Sequence, residues 1–126
     1  MDLVRAILLA GEAKTSTEGV WSKDFAVPGD FDQDLIRMHL VSMASAGFFF
    51  FEATRSTTNP DRLIDVLIFD LSWQGHEFLD TIRDPEIWKR TKGSVRKIGS
   101  ASFEIVIEIA KSFARSVLRD AGIPLS

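Results

Sequence analysis

Apolar residues recur along the chain with two different periods, and the changes between them lay out the elements. Residues 3–13 carry Val4, Ile7, Leu8 and Gly11 at helical spacing, and Asp2 is placed to cap the helix they predict. Residues 14–30 lose that period and hold Trp21, Phe25 and Val27 at even spacing, which predicts a short strand within a loop. Helical spacing returns over 32–46 with Ile36, Leu40, Met43 and Ala44, and Gly47 is placed to end that helix in a left-handed conformation. The opposite side of this helix holds Asp34, Met38, Val41 and Ser45, with Arg37 on its flank.

Residues 48–51 are four consecutive phenylalanines, and strand side chains alternate between faces, so both faces of that strand are expected to be covered. A second run, 63–71, places Leu63, Leu67, Phe69 and Leu71 on one side and Ile64, Val66 and Ile68 on the other. Between them Arg-Ser-Thr-Thr-Asn-Pro-Asp-Arg, residues 55–62, is dense in turn formers and fits the tip of a long antiparallel hairpin.

Ser72 then serves as an N-cap whose hydroxyl accepts from the amide of Gln74 or Gly75, for a helix running to about residue 83. Asp84, Pro85 and Glu86 repeat the device for a helix reaching residue 92 or a little beyond. Gly99 and Ser100 separate this from a last helix over 101–121. There Phe103, Val106, Ile107, Ala110, Phe113, Ala114, Val117, Leu118 and Ala121 form one stripe opposite Glu104, Glu108, Lys111, Arg115 and Arg119. Ile105 and Ile109 widen the apolar arc beyond what one supporting surface needs.

The composition, 126 residues with 45% hydrophobic and 26% charged, fits one soluble α+β domain over 1–126, with a core over 1–82 and C-terminal helices over 84–122. The absence of cysteine removes disulfides, thiolate zinc sites and cysteine nucleophiles, and suits a cytoplasmic setting. No apolar run is long enough to span a bilayer, so no membrane partner is expected. A formal charge of -3 gives no global pull toward nucleic acid, which would have to be held by a local basic patch.

Two strings resemble known architecture. Ile-Arg-Met-His-Leu-Val-Ser-Met-Ala-Ser-Ala-Gly-Phe-Phe, residues 36–49, resembles the third helix and following strand of winged-helix regulators, and Leu-Ser-Trp-Gln-Gly-His-Glu-Phe-Leu, residues 71–79, resembles the step out of the wing. Through Met-Asp-Leu-Val-Arg-Ala-Ile-Leu-Leu at the start, residues 39–47, residues 71–84 and Trp88, the chain resembles the uncharacterised bacterial and phage family called domain of unknown function 2513, over about residues 1–118. This resemblance implies a winged-helix-like fold with a long two-stranded wing and additional C-terminal helices. By analogy of fold it implies transcription regulation in a bacterial or prophage setting, but no activity attached to particular residues. The helix that precedes the recognition helix in ordinary winged helices is replaced here by the strand-like residues 21–27.

DNA binding would use Arg37 on the third helix, Arg55 and Arg62 at the hairpin tip, and Lys89, Arg90, Lys92, Arg96 and Lys97 beyond it. Asp30, Asp32 and Asp34 near the start of the helix over 32–46 oppose that use, and the basic run also fits a solvated helix face. Association with another protein, or as a homodimer, would use Met38 and Val41 on one helix and Ile105 and Ile109 on the last. Metal-dependent catalysis would rest on His76, Glu77 and Asp80, yet there is no second histidine at helical spacing and only two in the chain. His76 is expected to hydrogen-bond near the wing junction, and Trp73 and Trp88 to pack the junction helices. The expectation is a non-catalytic binding module without cofactor or metal.

Overall fold

The computed structural model describes residues 2–14, 17–99 and 102–122. Among the described residues, five α-helices and a three-stranded antiparallel sheet give the α+β architecture, arranged as two compact units, Met1–Glu77 and Phe78–Ser126. The first helix, α1 (Asp2–Ala13), buries the expected stripe, joined by Leu3. Asp2 stands within its first turn, where a carboxylate complements the positive helix end.

Strand β1 (Val20–Trp21) is only two residues long, because Ser22–Asp24 turn into a 3-10 helix and carry Phe25 out of the strand. Phe25 instead packs edge-on against Phe49, ring centroids 6.4 Å apart. Gln33 at the start of α2 (Gln33–Ser45) donates from Nε2 to the Ser22 carbonyl at 2.9 Å, tying the turn to the helix. Asp32 caps α2 by accepting from the Asp34 amide at 2.7 Å, and Ile36, Leu40, Met43 and Ala44 are buried as expected. The helix ends in a paired backbone motif, Phe48 N–H to Met43 carbonyl and Gly47 N–H to Ala44 carbonyl, both 3.0 Å, with Gly47 at φ +89°.

Strands β2 (Phe49–Arg55) and β3 (Leu63–Leu71) form the hairpin, and β3 lies between β1 and β2. Ile68 is opposite both Val20 and Phe51, and Val66 opposite Ala53, which makes this the core face. Phe49, however, is opposite Leu71: over two residues of β2 the partner strand uses three. That bulge rotates Leu71 onto the face of Val66 and Ile68, contrary to strict alternation from Leu63. The expectation of two covered faces also fails, since Phe50 is 62% exposed and Trp21 is exposed beside Leu67 on the outer face.

A joint follows directly. Ser72 donates its hydroxyl to the Gly47 carbonyl and accepts from the Gly75 amide at 3.1 Å, so one side chain closes the end of α2 and caps α3 (Trp73–Ile82). The Ser72 amide donates to the Phe48 carbonyl at 3.0 Å. A Cβ at Gly75 would fall well inside van der Waals contact with that same carbonyl, so no larger residue fits. The boundary between the units lies within α3, between Glu77 and Phe78.

In the second unit Phe78, Leu79 and Ile82 are buried at the end of α3. Asp84 caps α4 (Pro85–Ile98) by accepting from the Glu86 and Ile87 amides at 2.8 and 3.2 Å. This helix runs past Gly93 and stops at Gly99, φ +93°, two turns later than residue 92. Helix α5 (Phe103–Asp120), which packs against α4, is capped by Ser102, and the expected start at Ser100 and Ala101 lies outside the described residues. Only Val106 and Ala110 of its long stripe are buried, and Val117 and Leu118 are exposed.

Candidate functional site

The outward face of α2 is apolar and acidic. Met38 is 59% exposed, Leu35 is exposed beside it, Val41 is half-buried, and Asp34, Ser42 and Ser45 complete the surface. Arg37, the helix's one cation, is half-buried and donates from Nη1 to the Ile64 carbonyl at 3.0 Å, linking α2 to β3. Nothing local in sequence announces that bond, which spans twenty-seven positions. At the hairpin tip, the Ser56 amide donates to the Arg62 carbonyl at 3.0 Å and brings Arg55 and Arg62 together. Arg55 donates to the Pro60 carbonyl at 3.2 Å, whereas the exposed Arg62 side chain has no partner among the described residues.

Helix α4 gathers the remaining predicted cations. Ile87, Trp88 and Thr91 turn inward, and the buried Thr91 hydroxyl is satisfied by the Ile87 carbonyl at 2.7 Å. With that face inward, helical spacing puts Lys89, Arg90, Arg96 and Lys97 on the exposed side. Arg90 pairs with Glu86 at 3.2 Å, and Lys92 lies 5.9 Å from the Trp88 ring centroid. Lys89, Arg96 and Lys97 have no ion-pair partner among the described residues.

Charge divides between the units. The segment Met1–Glu77 holds six Lys and Arg against twelve Asp and Glu, a formal -6, and Phe78–Ser126 holds nine against six, a formal +3.

The remaining candidates separate. His76 is exposed and its ring makes no hydrogen bond among the described residues, so the structural role expected for it at the wing junction is not found. Its neighbours do not converge with it: Trp73 donates to Glu77 at 3.0 Å and Arg83 pairs with Asp80 at 3.1 Å. No group of three His, Asp or Glu side chains suited to a metal occurs among the described residues. Trp88 is buried as expected, but Trp73 is 75% exposed, because α3 turns its first residue outward beside the Glu77 carboxylate. No described helix is long and apolar enough to cross a membrane.

Sequence reasoning missed a groove of about 530 Å³ between α4 and α5, lined by Lys97 and Ile98 on one side and Glu108, Ile109, Ser112 and Phe113 on the other. Ile98 is 57% exposed there. Its place next to the glycine stop and two lysine or arginine positions disguised it as the end of a polar run. Ile105 is exposed on α5 and Ile109 lines the groove.

Fold and surface together define a small α+β protein with an acidic first unit and a basic second one. The chain belongs to the family described as "Hypothetical protein (DUF2513)", whose model matches residues 1–102. An uncharacterised protein of Haemophilus influenzae is 32% identical over 118 residues, which cover 93% of this chain and 92% of that protein. No solved structure matches the chain significantly.

Proposed function

We propose that this chain is a non-catalytic binding module with a winged-helix-like first unit, and that it holds DNA by the phosphate backbone through the basic face of α4. The winged-helix reading is supported by the order α1, β1, α2, β2, β3, by the placement of β3 between the other two strands, and by the long hairpin whose tip carries Arg55 and Arg62. The single observation that carries the DNA contact is the charge division, which puts unpaired Lys89, Arg96 and Lys97 on one helix of a protein that is acidic elsewhere. Helix α2 does not read bases in this arrangement: its outward face is Leu35, Met38 and Asp34, its start is acidic, and Arg37 is engaged by a carbonyl. Such a contact is blind to sequence and suits an accessory DNA-associated regulator.

A gel-shift series on duplex DNA tests this. Affinity should fall with salt at a log–log slope of about -3 if three phosphates are neutralised, and Lys89→Ala or Arg96→Ala should each reduce the slope by about one. No shift at low salt sinks the reading. A shift abolished by Met38→Glu but untouched by the α4 variants would move the contact to α2. The second reading, a protein partner on α2, is favoured by the exposure of Leu35 and Met38.

A further inference from the structure

We propose that two copies of this chain associate through α5, the helices lying antiparallel with each seated along the groove that the other copy forms between α4 and α5. Charge placement commits the occupant. Glu104 and Glu108 come first along α5, and Lys111, Arg115 and Arg119 follow toward its end, on one flank with i, i+4 steps within each sign. Like charges at that spacing repel within the helix. The helix dipole accounts for Glu104 in the first turn and Arg119 in the last, but its effect fades within a turn and does not reach Glu108 or Arg115. None of Glu104, Glu108, Arg115 and Arg119 has an ion-pair partner among the described residues.

A second α5 running the opposite way supplies what is missing. Register that sets Glu108 against the partner's Arg115 also sets Glu104 against the partner's Arg119, and two-fold symmetry doubles both pairs. Beside this charged row lies one of isoleucine and small serine side chains: Ile105, Ile109, Ser112 and Ser116 recur at four and three residues, the spacing of a helix-pairing seam. The same antiparallel overlap brings isoleucines at one end of the seam against serines at the other, large against small. Glu108, Ile109 and Ser112 already line the groove, and exposed Ile98 extends its apolar floor. Helix α5 has 18 residues against 14 in α4, and Val117 and Leu118 at its far end stay exposed in one copy.

Sedimentation of the full chain reads the result. Wild-type protein should run at twice the 14.1 kDa chain mass at roughly 0.1 mM. Glu108→Arg and Arg115→Glu, both at exposed positions, should each weaken the dimer about tenfold, as two attractive pairs become repulsive. The chain carrying both changes should regain wild-type association, and an equimolar mixture of the two single variants should dimerise as well as wild type. Monomeric wild-type protein overturns the proposal, as do single variants that associate normally or a double variant no better than either. Circular dichroism on each variant separates lost association from lost folding, and none of these outcomes depends on whether DNA binds.

Discussion

Helix α1 buries five of its twelve residues, whereas α5, half as long again, buries only Val106 and Ala110. Both show an apolar stripe in sequence, so the stripe records what is available for burial and not how much the fold covers. Around α1 and α2 the sheet, the Phe25–Phe49 contact and the Ser72 joint close a well-covered interior. Around α5 the apolar supply exceeds what α4 covers, and the surplus lies beside unpaired charges. Stability is therefore expected to concentrate in the first unit and surface recognition in the second.

The hardest test of that division is a pair of truncations of the same residue type. Leu40 is fully buried, and Leu40→Ala should cost roughly 2–5 kcal/mol, a large part of the stability of a chain this size. Leu118→Ala, on the exposed end of α5, should change stability by about 0.5 kcal/mol or less at concentrations where the chain is monomeric. Urea midpoints with unchanged slopes would measure both. Comparable losses at the two positions would show that α5 is covered after all and would remove the contrast.

A smaller effect, but one tied to a single contact, is expected at the joint. Gly75→Ala places a Cβ against the Phe48 carbonyl, which also accepts from the Ser72 amide, so the strain falls on backbone that has no room to turn aside. About 1–3 kcal/mol of destabilisation follows, partly offset by alanine's better helix propensity. Unchanged thermal stability would mean that α3 is free to lift away from Phe48 and that the joint is looser than its hydrogen bonds imply.

What could be read from sequence follows the range of the interactions. The caps at Ser72 and Asp84 and the left-handed stop at Gly47 were legible because each is settled within a few residues. The face of Leu71 was not, because it depends on a bulge produced by pairing two strands, and a one-residue slip reverses every side chain beyond it. Arg37 read as a free cation because its carbonyl partner is supplied by a distant strand. The cations of α4 stood out in sequence as a run of charges, but the exposed face that Lys89, Arg96 and Lys97 share required a helix longer than sequence indicated.

That length is open to the most delicate test. Gly93, just past the residue where sequence placed the helix end, lies inside α4 with open space where a Cβ would project. Alanine there gains roughly 1 kcal/mol of helix propensity and reduces the freedom of the unfolded chain, so Gly93→Ala should stabilise by about 0.5–1 kcal/mol. No cation changes, so the salt-dependent shift on duplex DNA should persist in the same variant. A helix ending at Lys92 would show no such gain, and it would also carry Arg96 and Lys97 off the face they share with Lys89. The sign of one small stability change thus bears on whether the second unit has a continuous basic surface or only a run of charges along a loop.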